Sequence, residues 1–430
     1  MNSCALDISD MSIKYGEIVS THSGLRLKRY GKQKIPKDIV KAGKIEDEAK
    51  LIGILKDLKK RLGLKFVRVA LPEEQMYLFT LSIPKASADN LREVILLQIE
   101  EHIPLKASET IFDYDIVSTN ATSVFVEVVA IAALTIESYL SVFEAAGLSP
   151  LSFELEAQAI ARAVLPRDDT KPVMIVDFGD TRTGVSIAQN GIVFFTTTLD
   201  VDGQSLTNMI AKNFKISFEE AEAMKLSYNR DSNLNSDSNE DMFSVVLGGV
   251  SVLRDEINKQ YIYWKTHQDE VIAHEPISRI ILCGGDSNLV GLASYLEASL
   301  SIKVDYANTW VNISDINTYV PEMSFSESLE YVTVLGLCLG DYLIESQSVL
   351  NVLPLEEKLA LKSEYKMRVA NMSLAILSLL ALLSSVLLLP SYFFSMTKEA
   401  LAESQLESFN KNNPEIAMHN TDNTAKDINN

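Results

Sequence analysis

The chain has 430 residues, 58 acidic against 39 basic, for a formal net charge of −19. That length asks for two or more subdomains, and that charge, with no Lys/Arg cluster to offset it, excludes a nucleic-acid-binding surface. Cys4, Cys283 and Cys338 stand too far apart for a metal or redox motif and read as small core residues in a reducing compartment.

The N-terminus, MNSCALDISDM, has no apolar run of signal-peptide length, so the globular part is expected to stay in the cytosol. Short strands and helices alternate over the first 345 residues, the pattern of an α/β protein. Residues 5–8 read as a strand and 12–19 as its hairpin partner. Residues 47–62 carry Leu51, Ile54, Leu55, Leu58 and Leu62 on one helical face. A strand at 66–71 and an apolar segment at 76–83 follow. Residues 87–102 read as a helix with an N-cap at Ser87 or Asp89 and a stop before Pro104. Then come strands at 112–117 and 123–132 and a helix at 136–146, closed by Gly147.

A second cycle opens with the apolar strand 173–178, VMIVDF, and a hairpin over 185–199 turning at Asn190-Gly191. Helices at 205–213 and 217–224, a polar loop at 229–241, a helix at 245–266, a strand at 279–282 and a helix at 289–299 complete it, and a last helix lies near 331–344. Both cycles run strand ending in Asp, hairpin, helices, which is a duplication.

Three turns carry the candidate chemistry: Asp7-Ile8-Ser9-Asp10-Met11-Ser12-Ile13-Lys14, Asp177-Phe178-Gly179-Asp180-Thr181-Arg182-Thr183, and Cys283-Gly284-Gly285-Asp286-Ser287. Strand-end turns rich in Gly, Ser and Thr offer N–H and hydroxyl donors to phosphate oxygens, and an acid at the strand end orients Mg²⁺ through water. In order, the three resemble the phosphate-1, phosphate-2 and adenosine motifs of the actin-like ATPase superfamily, an α/β fold with a duplicated, ribonuclease H-like core. Residues 66–165, including LPEEQMYLFTLSIPKASADNLREVILLQIEEHIPLKASETIFDYDI, resemble the inserted 1C subdomain of the PilM family of type IV pilus and type II secretion machines.

The resemblance implies ATP with Mg²⁺. Asp7 and Asp177 become the candidate catalytic acids, with Asp7 orienting the metal. Ser9, Ser12, Lys14, Gly179, Thr181, Thr183 and Gly203 would approach the phosphates, Glu222 and Lys225 the ribose, and Gly284 and Gly285 the adenine. Ser9 stands where the family has glycine, and Asp202-Gly203 where it has Gly-Gly. With no well-placed general base, at most slow hydrolysis is expected.

Residues 350–358, LNVLPLEEK, resemble the N-terminus of the PilN family, whose Asn-Leu-Leu-Pro-type segment lies in a groove of PilM. Asn351, Val352, Leu353 and Pro354 are therefore the candidate docking motif, in the groove of this chain or of a neighbouring one. Val369 to Thr397 contain no charge and suffice to cross a bilayer. Lys358, Lys362, Lys366 and Arg368 before that stretch, against Lys398 and Lys411 after it, orient the large N-terminal part to the cytoplasm. The domains expected are a nucleotide-binding module at 1–345, a juxtamembrane motif at 346–368, a span at 369–397 and a short, polar tail at 398–430 with a short helical start followed by disorder. The sequence thus reads as a PilM–PilN fusion: an oligomeric adaptor of the bacterial inner membrane serving platform and motor components of a pilus-like machine. A membrane-tethered division filament and a turnover ATPase or kinase are the alternatives.

Overall fold

The computed structural model describes residues 3–22, 24–230, 237–266, 275–313, 319, 321–342 and 349–413. The chain divides into two units, Met1–Leu355 and Glu356–Asn430. In the first, β1 (Cys4–Ile8), β2 (Ser12–Thr21) and β3 (Gly24–Lys34) form an antiparallel meander. A small hairpin, β4 (Val40–Lys41) with β5 (Lys44–Ile45), leads to α1 (Glu48–Leu62). Asp47 caps α1 by accepting from the Lys50 N–H, Leu51, Leu55 and Leu58 are its buried residues, and Gly63 ends it at φ 65°. β6 (Phe66–Leu71) then joins β1 in parallel.

β7 (Met76–Pro84), α2 (Leu91–His102), β8 (Thr110–Thr119) and β9 (Ser123–Ala132) build a separate three-stranded sheet ordered β7–β9–β8, with Leu91, Ile95 and Ile99 of α2 in its core. The helix does not start at Ser87 or Asp89. Lys85–Asn90 form a 3-10 turn, and the Lys85 N–H donates to Thr122 O, which ties this stretch to the β8–β9 turn until α2 begins. α3 (Ala133–Ala146) packs on α1 and ends at Gly147 (φ 70°). β10 (Ser149–Leu155) pairs with β6 and runs directly into α4 (Glu156–Val164). The first five-stranded sheet therefore reads β10–β6–β1–β2–β3.

The second cycle repeats this order. β11 (Val173–Phe178), β12 (Thr183–Gln189) and β13 (Ile192–Leu199) form its meander. Asn190 and Gly191 turn it with φ of 55° and 77°, as a two-residue type I′ turn demands. α5 (Gly203–Phe214), α6 (Phe218–Arg230) and α7 (Asp237–Thr266) follow, then β14 (Arg279–Cys283), α8 (Leu292–Leu300) and β15 (Val304–Tyr306). The sheet order β13–β12–β11–β14–β15 matches the first sheet strand for strand, so the duplication seen in the sequence is structural. Of the polar loop expected at 229–241, residues 229–230 continue α6 and 237–241 begin α7, while 231–236 lie outside the described residues. Buried Tyr228 and Met242 fasten the two helix ends to the second core.

α9 (Phe325–Glu330), opened by a Ser324–Glu327 capping box, leads into α10 (Val332–Leu339), every residue of which is buried. α10 packs on β1, β2, β6 and α4, and α4 also packs on β12 and β13, so this helix pair joins the two sheets. Its approach is close: a Cβ on Gly336 would meet Ala159 O at 1.8 Å. A 3-10 turn continues α10 through Tyr342, and 343–344 lie outside the described residues.

The second unit is built on α11 (Leu355–Asn412), one 58-residue helix that includes Pro390. It is long and apolar enough to cross a membrane, and its most apolar stretch is not buried in the protein. The tail expected at 398–430 is helical to Asn412, and 414–430 lie outside the described residues.

Candidate functional site

Duplication puts two strand ends face to face. Asp7 and Asp177 are each the next-to-last residue of a central strand, β1 and β11, and each is followed by a hairpin turn. Across β1 and β2 the register sets Asp7 opposite Lys14, whose Nζ lies 3.2 Å from the Asp7 carboxylate. The Ser9 N–H and hydroxyl both donate to Ser12 O (2.9 and 3.0 Å), which closes the first turn. Gly179 closes the second by donating to Arg182 O at 3.0 Å. After β14 the chain turns at Gly284 with φ 93°, where a Cβ would meet Asp177 Oδ1 and Phe178 O at 2.4 Å, so only glycine lets the third turn approach the second.

These turns line one cleft of about 70 Å³. Asp7, Ser9, Ser12 and Lys14 contribute from the first sheet, and Asp177, Gly179, Thr181, Gly284 and Gly285 from the second. Four residues that sequence reasoning missed, Glu156, Thr333, Lys32 and Glu330, complete it. Glu156, the first residue of α4, accepts an ion pair from Arg182 (2.8 Å) and a hydrogen bond from the Thr333 hydroxyl (3.3 Å). Lys32 and Glu330 pair at 2.7 Å on the same lining. The signal for Glu156 was that it and Glu154 are two acids in the largely apolar run PLSFELEAQAIARAV, since an acid surrounded by buried residues needs an internal partner.

The other expected site residues lie elsewhere. Thr183 is buried in β12 and donates to Val201 O. Gly203 opens α5 behind the second turn, its N–H donating to Gly179 O at 3.0 Å, and a Cβ there would meet Asp286 Oδ2 at 2.0 Å. Glu222 and Lys225 form an internal clamp: Lys225, fully buried, holds Asp286 (2.8 Å), Glu222 (3.0 Å) and Gly203 O (3.3 Å), while Thr207 donates to Glu222. None of these four is on the cleft lining.

Electrostatics in the cleft are those of buried acids facing buried bases. Burial, then the neighbouring Glu156, pushes Asp177 up to about 7. Glu156 is likewise raised, chiefly by burial, with Arg182 opposing. Burial alone would lower Arg182 and Lys14, but the surrounding carboxylates, Glu156 for the one and Asp7 for the other, raise both. Acids, hydroxyls, three cations and side-chain-free glycines suit a phosphate chain with hydrated Mg²⁺. Among the described residues no group of three or more His, Cys, Asp or Glu is arranged to hold a metal ion, so Asp7 and Asp177 would meet Mg²⁺ only together with phosphate and water. The cleft is smaller than the ~300–1,000 Å³ of typical ligand pockets.

The candidate docking motif lies against the free edge of β10. Asn351 Oδ1 accepts from the Phe153 N–H (3.0 Å), its Nδ2 donates to Leu151 O (3.0 Å), and the Val352 N–H donates to Phe153 O (3.0 Å). The Asn351 N–H donates to Asp113 of β8 at 3.1 Å. Leu350, Val352 and Leu353 are buried, and Pro354 is half-buried. One backbone bond and the two made by the Asn351 side chain fasten the segment to the strand edge.

A family model described as type IV pilus assembly protein PilM matches residues 5–342. Curated relatives include the cell division protein FtsA of two strains of Staphylococcus epidermidis, each 22% identical over 241 residues, 51% of this chain and 51% of FtsA. The chain spans about half the length of these relatives. Among solved structures, a PilM–PilN type IV pilus biogenesis complex is 21% identical with a TM-score of 0.64, over 79% of this chain and 98% of the other. MreB5 of Spiroplasma citri bound to ADP is more distant, at 13% identity and a TM-score of 0.49 over 79% of this chain and 95% of that one. The fold is that of the actin-like ATPases.

Proposed function

The chain belongs to the PilM family of type IV pilus assembly proteins, and we propose that it is a membrane-anchored, ATP-binding adaptor that couples cytoplasmic motor components to the inner-membrane platform of a pilus-like machine. The observation that carries the reading is the meeting of Asp7, Asp177 and Gly284, from three separated turns, on one cleft. Asp7, Ser9, Ser12, Lys14, Gly179, Thr181, Gly284 and Gly285 would hold Mg·ATP, with Asp7 and Asp177 orienting the hydrated metal. When bound, the ion would neutralise phosphate charge, while Lys14 and Arg182 supply fixed positive charge beside it. Glu222, Lys225, Thr183 and Gly203 act behind the site, holding α5 and α6 to the turn after β14.

Anchoring rests on α11, whose uncharged stretch 369–397 is read as a single span with the N-terminal module, residues 1–345, in the cytoplasm. Residues 66–165 would be the family's inserted 1C subdomain, 346–368 a PilN-like juxtamembrane motif, and 398–430 an extracytoplasmic tail. The seating of Asn351–Pro354 on β10 supports an internal PilN-like partner, with oligomers built where a neighbouring groove takes its place.

A turnover ATPase is the second reading, favoured by the buried carboxylate of Glu156 beside the cleft. Its pairing with Arg182 withholds it from service as a base, so slow turnover is expected. Steady-state phosphate release by the full chain in lipid nanodiscs decides between them. Less than about one cycle per second, below the ~10 s⁻¹ median of enzymes, fits the adaptor, and many cycles per second would establish the enzyme.

A further inference from the structure

Val126 and Val128 of β9 face α2, so Glu127 between them faces the other side of the three-stranded sheet, and there the register sets Asp115 of β8 directly opposite it. Like charges directly opposite on a sheet repel, and burial adds to the cost, since Glu127 is only 3% exposed. Its Oε1 accepts from the Gln158 amide at 3.0 Å, while among the described residues no donor reaches Oε2. Glu127 instead lines a cavity of about 230 Å³ walled by β8, β9, α4 and the β12–β13 turn. Two more acceptors belong to lining residues. Gln158 keeps its side-chain carbonyl, and so does Asn312, whose amide N–H groups donate to Arg162 O (3.0 Å) and Leu165 O (2.6 Å). Of the two cations on the lining, Arg162 is committed to Glu154 (2.8 Å) and Gly336 O (2.9 Å), and Arg167 is exposed.

We propose that this cavity binds a guanidinium group, with Glu127 and Asp115 as its counter-charges and Gln158 and Asn312 as further acceptors. A buried acid left with an unbonded oxygen costs the fold stability, and a cation that supplies both charge and donors offsets that cost. Among the described residues no group of three or more His, Cys, Asp or Glu is arranged to hold a metal ion, which leaves an organic cation. The lining is rich in acceptors, and a guanidinium brings five donors in a planar fork where an ammonium brings three. One edge of the fork can meet the Glu127 carboxylate as a charge-assisted pair while the other reaches the amide carbonyls. The cavity shares no lining residue with the cleft of Asp7 and Asp177 and needs no nucleotide. The cation can be carried by a free guanidino compound or by an arginine side chain of a partner protein, and the chemistry at Glu127 is the same for both.

The test is calorimetric titration of the full chain in lipid nanodiscs, without nucleotide, using ethylguanidinium, N-acetylarginine amide and its uncharged isostere N-acetylcitrulline amide. The arginine amide should bind at least ~10-fold more tightly than the citrulline amide, the worth of one good charge-assisted contact. Burial raises the Glu127 carboxyl to about 8, with Gln158 opposing and Asp115 adding, so the carboxylate that pairs with the cation becomes commoner as pH rises. Affinity should therefore climb about tenfold from pH 6 to 7, a range over which Arg162 and Arg167, which face the same cavity, keep their charge. Glu127→Gln keeps an acceptor for Gln158 and should stay folded by its thermal midpoint, yet lose at least ~10-fold in affinity together with the pH dependence. Arginine amide binding ~10-fold more tightly than ethylguanidinium assigns the cation to a partner's arginine, and equal or weaker binding assigns it to a free guanidino compound. Equal binding of the arginine and citrulline amides, equal binding by wild type and Glu127→Gln, or no binding at millimolar probe would each overturn the proposal and leave the nucleotide reading untouched.

Discussion

Gly284 sits so close to Asp177 that a single added carbon would come within 2.4 Å of the Asp177 carboxylate. The backbone of one half of the second cycle thus buttresses the acid of the other, and the second sheet's side of the cleft depends on the missing side chain. Gly284→Ala meets the Phe178 carbonyl as well and adds strain at φ 93°. It should destabilise the fold by about 2–4 kcal/mol and lower nucleotide affinity, readable as a fall in thermal midpoint and in a binding titration. A variant as stable as wild type would mean that the third turn tolerates displacement.

Lys225 is fully buried between Asp286 and Glu222. Lys225→Met keeps the volume but leaves Asp286 without its cation. A loss of about 3–5 kcal/mol is expected, because breaking a buried pair from one side strands the other charge. Denaturant unfolding measures it. A loss under about 1 kcal/mol would show that Asp286 has become protonated or solvated at little cost.

Glu127, buried in β9 against Gln158, is pushed up to about 8 by burial, with Gln158 opposing and Asp115 adding. The folded state holds this proton more tightly than the unfolded chain, so the contribution to stability is complete below about pH 4.5 and is lost as pH rises through about 8. Glu127→Gln keeps an acceptor for Gln158 and cannot ionise. Relative to wild type it should gain stability between pH 5 and 8, by up to about 3.5 kcal/mol, in thermal melts across that range. Other raised acids, such as Asp177, are common to both proteins and cancel. A pH-independent difference would place the Glu127 carboxyl in water.

Much of the fold was legible because its central strands are apolar and its turns are marked by Asp and Gly. What escaped has physical reasons. β3 has the sequence GLRLKRYGKQK and no buried residue, so an edge strand held by pairing with β2 leaves no apolar alternation to find. The helical ends around 229–241 depend on Tyr228 and Met242, single anchors that composition averages away. At the site, the three turns could be read because strand-end acids with glycines are local patterns. The Arg182–Glu156 pair spans 26 residues, and the removal of Glu222 and Lys225 into an internal clamp depends on Asp286, 61 residues beyond Lys225. Contacts between distant elements are not written in local spacing.

For the anchor, alkaline phosphatase fused after Asn412 in a bacterial host should be active and the same fusion after Tyr342 inactive, as the basic residues before the uncharged stretch require. Activity at Tyr342 with silence at Asn412 would invert the topology.

The central claim is that the cleft between Asp7, Asp177 and Gly284 holds an adenine nucleotide. Calorimetric titration of Mg·ATP into the full chain in nanodiscs tests it most directly. The expected result is one nucleotide per chain, with Asp177→Asn weakening it at least ~10-fold, about 1.4 kcal/mol. No binding at millimolar nucleotide, or equal binding by wild type and Asp177→Asn, would contradict it.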